Sequence, residues 1–195
     1  METLIIRDAN KNDSDLIADA ILDAIGEELT MNLAGDTHTR EDVHSLFKSL
    51  AEREDSQYSY LNSRIAENGE GTAMGVCVSY PGNKLIPLRR AFFNEAIEKL
   101  GWEMDSASID SLPKETEDDE FYLDSLMTLP EFRGKGVASA LIKDAKKKAD
   151  AAGLPLGLLC DTDNERARRL YDSLGFLPHA RRPFAGKMMD NLRLS

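Results

Sequence analysis

Residues 130–141 read Pro-Glu-Phe-Arg-Gly-Lys-Gly-Val-Ala-Ser-Ala-Leu, and they follow an apolar strand-like run and open a helical pattern. A helix start offers unpaired N–H groups and the positive end of the helix dipole, which together favour an anion. Gly134, Gly136 and Ala138 put no bulky side chain between such an anion and the backbone, and Arg133 and Lys135 add positive charge. A diphosphate cradled by the N–H groups of Arg133 to Ser139 (Gly134, Lys135, Gly136, Val137 and Ala138 between them) is one reading. A tight strand-to-helix turn that merely needs glycine is the other. A Walker loop would need Gly-Lys-Ser/Thr. A dinucleotide fingerprint would need a third glycine where Ser139 stands, and belongs in the first strand–helix unit of its domain.

The elements that must position this loop follow from periodicity. Residues 2–7 suggest an opening strand. Asp13 and Ser14 are suited to cap a helix with Ile17, Ile21, Ala24 and Ile25 on one face. Thr39 and Asp42 form a capping-box pattern ahead of Val43, Leu46, Phe47 and Leu50. Strands are predicted at 58–67 and 72–80, joined as a hairpin by Asn68-Gly69-Glu70-Gly71. A helix follows over about 84–100, with Leu85, Leu88, Phe92, Ala96 and Leu100 inward. Residues 101–119, polar and acidic, read as an exposed loop. Then come a strand at 120–129, a helix at 136–152, a buried strand at 154–160, a helix from Asn164 closed by Gly175, and strands near 176–182 and 187–194. The strand–helix–strand unit at 120–160 requires a parallel pair, and the hairpin an antiparallel one. A mixed, mostly antiparallel α/β sheet with helices on its faces is the expected fold. One domain over 1–195, with an insert at 81–119, is the expected organisation.

Composition limits what such a fold could serve. The chain is 42% apolar and carries 35 acids against 24 bases, a formal charge of −11. That field opposes nucleic-acid binding and suits a cationic acceptor such as a polyamine, an aminoglycoside or a lysine side chain. No apolar run approaches membrane-spanning length, and the N-terminus has no secretory pattern, so no membrane partner and a cytoplasmic location are expected. Cys77 and Cys160 lie in apolar runs and are expected to be free, buried thiols. No His or Cys pair has ligand spacing, so no metal is expected.

The segment Arg133-Gly134-Lys135-Gly136-Val137-Ala138 resembles the main motif of the GNAT superfamily of N-acetyltransferases: Arg or Gln, two residues, Gly, one residue, Gly or Ala. Asn164-Glu165-Arg166-Ala167-Arg168-Arg169-Leu170-Tyr171, followed by Leu174-Gly175-Phe176, is similar to that family's second signature. The resemblance covers 120–176; before that only the element order agrees. It implies acetyl-CoA as acyl donor, its pyrophosphate on the loop at 133–139 and its pantetheine arm along the backbone of Leu126, Met127 and Thr128. It implies further that the Thr128 N–H faces the thioester carbonyl, that the two parallel strands splay to admit the cofactor, that Asn164 bonds the arm and that Tyr171 protonates the leaving thiolate. Simple packing beneath the sheet is the other use of Tyr171.

Transfer to an amine in a direct ternary complex needs a proton acceptor, because an alkylammonium of pKa ~10.4 is almost wholly protonated at neutral pH. Asp124 is the first candidate, alternating with Leu126 and Thr128 on one strand face; an exposed or satisfied carboxylate is its other reading. Glu120, Asp161 and, last, His179 follow. Neither cysteine has a basic neighbour in sequence that would make it an acyl carrier. The insert, through Leu88, Phe92 and Phe93, either covers the acceptor end of the cleft or makes a homodimer or solvent-facing surface. A non-catalytic acyl-CoA sensor is the alternative function.

Overall fold

The computed structural model describes residues 3–195, so Glu2 of the expected first strand lies outside it. The chain runs β1 (Ile5–Asp8), α1 (Ser14–Ala34), α2 (Arg40–Glu52), β2 (Ser63–Glu67), β3 (Ala73–Pro81), α3 (Leu85–Leu100) and α4 (Ser106–Ser111). It continues with β4 (Phe121–Thr128), α5 (Val137–Ala151), β5 (Leu156–Asp161), α6 (Glu165–Ser173), β6 (Leu177–Phe184) and β7 (Lys187–Leu194). The capping box at α2 forms as expected, Thr39 N–H donating to Asp42 at 2.8 Å and Asp42 N–H to Thr39 Oγ1 at 3.3 Å. Asp13 makes no side-chain cap for α1. Its carboxylate instead takes Asn10 N–H at 2.8 Å and pairs with Arg7 at 2.8 Å. Gly26, at φ 78°, breaks the helical path of α1, and only glycine adopts that conformation without strain.

Among the described residues, seven strands form one sheet in the order β1-β2-β3-β4-β5-β7-β6, and only β4 and β5 are parallel. One face carries α1, α2 and part of α3 over Ile65, Val76 and Val78; the other carries α5 and α6 over Leu123, Leu156 and Leu158. Each fully buried Leu, Ile or Phe in these layers contributes about 1.5–3 kcal/mol. Helices on both faces of a mixed sheet match the sequence expectation.

Two segments differ from it. The strand predicted from residue 58 begins only at Ser63. Ser56 and Ser59 accept the N–H groups of Tyr58 and Leu61, and Asn62 Nδ2 donates to the carbonyls of Ser56 and Gln57. Such local bonds compete with the sheet ladder and hold this stretch as a buried turn. The acidic loop at 101–119 is not simply exposed: Ile109 and Thr116 are buried, and α4 forms within it. Arg89 gathers it in, donating to the carbonyls of Ile109 (2.9 Å), Leu112 (3.0 Å) and Pro113 (3.1 Å). The inward face of α3 therefore includes Arg89 and Glu95 beside Leu85, Ala96 and Leu100.

Glu120 closes the insert onto the sheet. Its carboxylate, fully buried, accepts from Thr116 Oγ1 (2.6 Å), Glu117 N–H (3.0 Å) and Arg193 Nε (2.8 Å). It lies over Gly157, where an added Cβ would come within 2.1 Å of Glu120 Oε2. Removing one partner from a buried ion pair typically costs about 3–5 kcal/mol. Arg193→Met should therefore lower the unfolding free energy by about that amount in a urea titration. A loss below about 0.5 kcal/mol would show that the pair is solvated and contributes as a surface pair does.

Candidate active site

The parallel pairing of β4 with β5 is short. It runs from Phe121↔Leu156 to Leu123↔Leu158 and stops. At that point Val78 pairs with Ser125 and Ser79 with Leu123, so Asp124 has no partner on β3 and forms a bulge. Beyond it, β4 stays paired with β3 as far as Thr128, and β5 stays paired with β7 as far as Asp161. Their facing edges, over 124–128 and 159–161, are thus left without a strand partner in each other, as the resemblance implies.

The bulge also corrects the expected alternation. Leu123 and Leu126 both pack on the α5 side, which a regular strand would forbid. Asp124 therefore does not share a face with Leu126 and Thr128. Its carboxylate turns to the opposite side, accepting from Tyr80 Oη at 2.7 Å and Ser125 Oγ at 2.9 Å.

A cleft of about 650 Å³ opens at the splay, lined by Leu126, Thr128, Arg133, Gly134, Gly136, Val137, Ala138, Ser139, Asn164 and Tyr171 among others. The sequence motifs thus converge on one space. Gly134 and Gly136 have φ of 78° and 82°, and a Cβ on either would meet no atom within 4 Å. These glycines answer a backbone requirement, and the space beside them is open. The N-terminus of α5 has no side-chain cap, and Gly136, Val137, Ala138 and Ser139 at that end line the cleft. Thr128 Oγ1 is buried there without a hydrogen-bond partner. Uncapped donors, open space at the glycines and an orphaned hydroxyl fit a diphosphate with an extended polar arm.

Several expected residues stand differently. The Met127 side chain packs on the α1 side, so only its backbone borders the cleft. Lys135 Nζ lies 5.0 Å from the centre of the Phe132 ring and is not among the side chains that line the cleft. Arg133 Nε donates to the Thr128 carbonyl at 3.3 Å, tying the loop to the strand. Asn164 caps α6 through its Oδ1, which accepts the Ala167 N–H at 3.0 Å. That leaves its amide N–H₂ as the group able to meet a ligand. Tyr171 packs against Phe176 with ring centres 5.5 Å apart while lining the cleft, and burial raises its phenol above the ordinary tyrosine range.

The other proton-acceptor candidates are committed elsewhere. Glu120 is buried in the Arg193 pair. Asp161 accepts the Asp163 N–H at 3.0 Å in the turn ahead of α6, and the exposed His179 borders a shallow pocket with Arg168, Arg181 and Asp190. Cys77 is a free, buried thiol that burial pushes up to about 12, and Cys160 is likewise free and raised. A thiol held protonated is a poor acyl carrier.

Sequence reasoning missed Gln57, Tyr58, Tyr80 and Glu115. Together with the bulge they form the far side of the site. Burial and the nearby Asp124 charge push the Glu115 carboxyl up to about 7. Burial likewise raises Asp124, against the hydrogen bonds from Tyr80 and Ser125. Gln57 Nε2 reaches Glu115 Oε1 at 3.4 Å. No local pattern marks these residues, because the insert and the turn at 56–62 bring them together only in the fold. Gln57, Tyr58 and Glu115 also border an apolar cavity of about 440 Å³. Phe92 and Phe93 line it, whereas Leu88 packs with Tyr80, Leu85 and Tyr122 away from it.

No helix among the described residues is long and apolar enough to cross a membrane. No curated protein sequence matches the chain. A solved structure described as the crystal structure of acetyltransferase is 27% identical, with a TM-score of 0.76 over 97% of each chain. The N-acetyltransferase from Staphylococcus aureus Mu50 is 21% identical, with a TM-score of 0.78 over 97% of this chain and 100% of its own. The yncA protein of Salmonella typhimurium, whose structure includes its cofactor acetyl-CoA, is 16% identical, with a TM-score of 0.55 over 98% and 92%. The sequence model of the Acetyltransferase (GNAT) family matches residues 22–176, which contain the glycine loop at 133–139, the splayed strands and Tyr171. With both signatures and the fold in agreement, the chain belongs to the GNAT acetyltransferase family.

Proposed function

We propose that this chain is an N-acetyltransferase that moves an acetyl group from acetyl-CoA directly to an amine. The observation that carries the reading is the gap between β4 and β5, with an uncapped helix N-terminus on one side and Asp124 on the other. In this reading the N–H groups at 133–139 bind the pyrophosphate, and the unpaired β4 edge at Leu126 to Thr128 binds the pantetheine arm as an added strand would. The Asn164 amide N–H₂ donates to the same arm. Acetyl-CoA supplies an acyl group activated as a thioester.

The residues around the gap divide the remaining work. Thr128 N–H stabilises charge on the reacting carbonyl oxygen, which needs a fixed backbone donor rather than a particular side chain. Asp124 accepts the proton of the incoming ammonium, and Tyr80 and Ser125 orient it. Glu115 shares that proton, since two buried carboxylates ionise in succession. Tyr171 keeps its proton more firmly than an ordinary phenol. It therefore serves by donating a hydrogen bond to the departing sulfur, whose negative charge grows as the C–S bond breaks.

Thermal unfolding with acetyl-CoA, and with ADP and ATP as controls, tests the cofactor. A hundredfold excess over Kd should add about 2.7 kcal/mol, and Gly136→Asp should abolish the gain. No stabilisation, or a larger one with ATP, would overturn the reading. Asp124→Asn should lower kcat about a hundredfold or more while leaving acetyl-CoA stabilisation intact. An unchanged kcat would remove Asp124 from the reaction.

The pH dependence has a definite sign. A proton acceptor works ionised, so the raised carboxyls make kcat/KM fall as pH drops through about 7, the value to which Glu115 is pushed. The groups bearing on Glu115 are Asp124 from β4, Arg89 from α3 and Gln57. Glu115→Gln removes one of two coupled carboxylates and should move the acid limb to lower pH. A limb that stays in place would exclude Glu115 from the proton path.

A further inference from the structure

The cavity beside Asp124 is walled by Phe47, Tyr58, Phe92, Phe93 and Trp102, and by Leu29 from the part of α1 beyond Gly26. The rings interlock: Phe47 and Phe92 stack at 5.7 Å, and Phe92 meets Phe93 and Trp102 edge-on at 5.1 and 5.9 Å. The polar groups on its wall are few. Arg89 is spent on the insert's carbonyls. Gln57 is 3% exposed, and its Nε2 points to Glu115, so its Oε1 faces away from that carboxylate. That oxygen is buried with no hydrogen-bond partner. An apolar chamber of about 440 Å³ bordered at one place by Glu115 and Gln57, which meet at 3.4 Å, thus has a polarity of its own.

We propose that the acceptor is a primary arylalkylamine. Its nitrogen is held at the end of the chamber bordered by Gln57 and Glu115, and its ring lies against Phe92, Phe93 and Trp102. The chemical outcome, an N-acetylated arylalkylamine, rests on the acyl-transfer reading above. An ammonium suits this end because the Glu115 carboxylate supplies a counter-charge there that the aromatic part of the chamber does not. The body of the ligand must be apolar. A second ammonium, as in a polyamine, would be buried among aromatic rings with no counter-charge, which is costly. The volume falls in the range of small-molecule sites, about 300–1,000 Å³, and exceeds what a short alkylamine fills. The acidic surface expected from composition to draw polyamines thus lies outside a chamber that excludes them.

The test is calorimetric titration of the full chain with 2-phenylethylamine, tryptamine, 1,4-diaminobutane and 2-phenylethanol, beside thermal unfolding with acetyl-CoA. Both arylalkylamines should bind at least about tenfold more tightly than the diamine, the scale of discrimination that an apolar pocket achieves. Phe93 is half-exposed, so Phe93→Ala should leave the fold intact while weakening the arylalkylamines and 2-phenylethanol alike. Glu115→Gln should weaken the amines and spare the alcohol. Equal or tighter binding of the diamine to the unaltered chain would overturn the proposal, as would no effect of Phe93→Ala on any ligand. If acetyl-CoA stabilises the chain and the arylalkylamines do not bind, the acceptor class is wrong and acyl transfer stands. If the arylalkylamines bind and acetyl-CoA does not stabilise, the chamber is correctly assigned and the transfer reaction is not.

Discussion

The site depends on one interruption in a hydrogen-bond ladder. β4 and β5 hold each other for three residue pairs and then part at the Asp124 bulge. Buried backbone groups ordinarily find partners, so a sheet opened at its middle must be stabilised from outside the gap. Here β3 and β7 do so, because each keeps pairing with its neighbour along the whole splayed stretch. The open edges are therefore held in place, and a ligand that supplies extended amide groups meets donors and acceptors already oriented. Gly75 contributes to the same arrangement: a Cβ there would lie 2.5 Å from the Met127 carbonyl and 3.0 Å from Val137, so glycine lets β3, β4 and the start of α5 approach closely.

The bulge has a second effect. By slipping the alternation of β4 one residue, it sends Leu126 and Thr128 to the cleft and turns Asp124 to the opposite side, onto Tyr80. One strand thus presents different groups on its two faces. The insert completes the far pocket. Arg89 binds the insert's carbonyls, Glu120 fastens its end to β7, and between these anchors Leu112, Pro113 and Glu115 border the chamber. An insert with two buried anchors behaves as a wall of the domain rather than as a loose appendage.

What the sequence made legible was local. The glycine loop, the Thr39 capping box and the Asn-Gly-Glu-Gly hairpin each depend on residues within a few positions of one another, and each formed. The cleft at the splay was readable for the same reason, since its parts are two short motifs and the strand between them. The chamber was not. Gln57 lies in a turn whose Ser and Asn side chains replace the predicted strand, and Glu115 lies in a run of charges that composition alone assigns to solvent. Their meeting depends on Arg89, a charged residue on a helix face that periodicity reserves for apolar side chains. The face of Asp124 was misassigned because alternation presumes an unbroken ladder. A single extra residue reverses it, and no residue type announces a bulge of this kind.

The perturbed groups around the gap also sort themselves by direction. Burial raises Asp124, Glu115 and Tyr171 alike, yet the consequence differs with the role the proposed reaction gives each group. For the carboxyls, taken as the proton acceptor of the proposed reaction, a raised value would leave less free energy between ammonium and carboxylic acid. For the phenol, a raised value makes full proton loss harder and favours a hydrogen bond held through the reaction. The same low-dielectric surroundings thus strengthen a base on one side of β4 and fix a donor on the other. In the proposed reaction the proton leaves the nitrogen on the chamber side while negative charge gathers on sulfur on the cleft side. The strand that separates the two pockets would then separate the two proton events as well, and the bulge that turns Asp124 away from the cleft is what makes that separation geometrical.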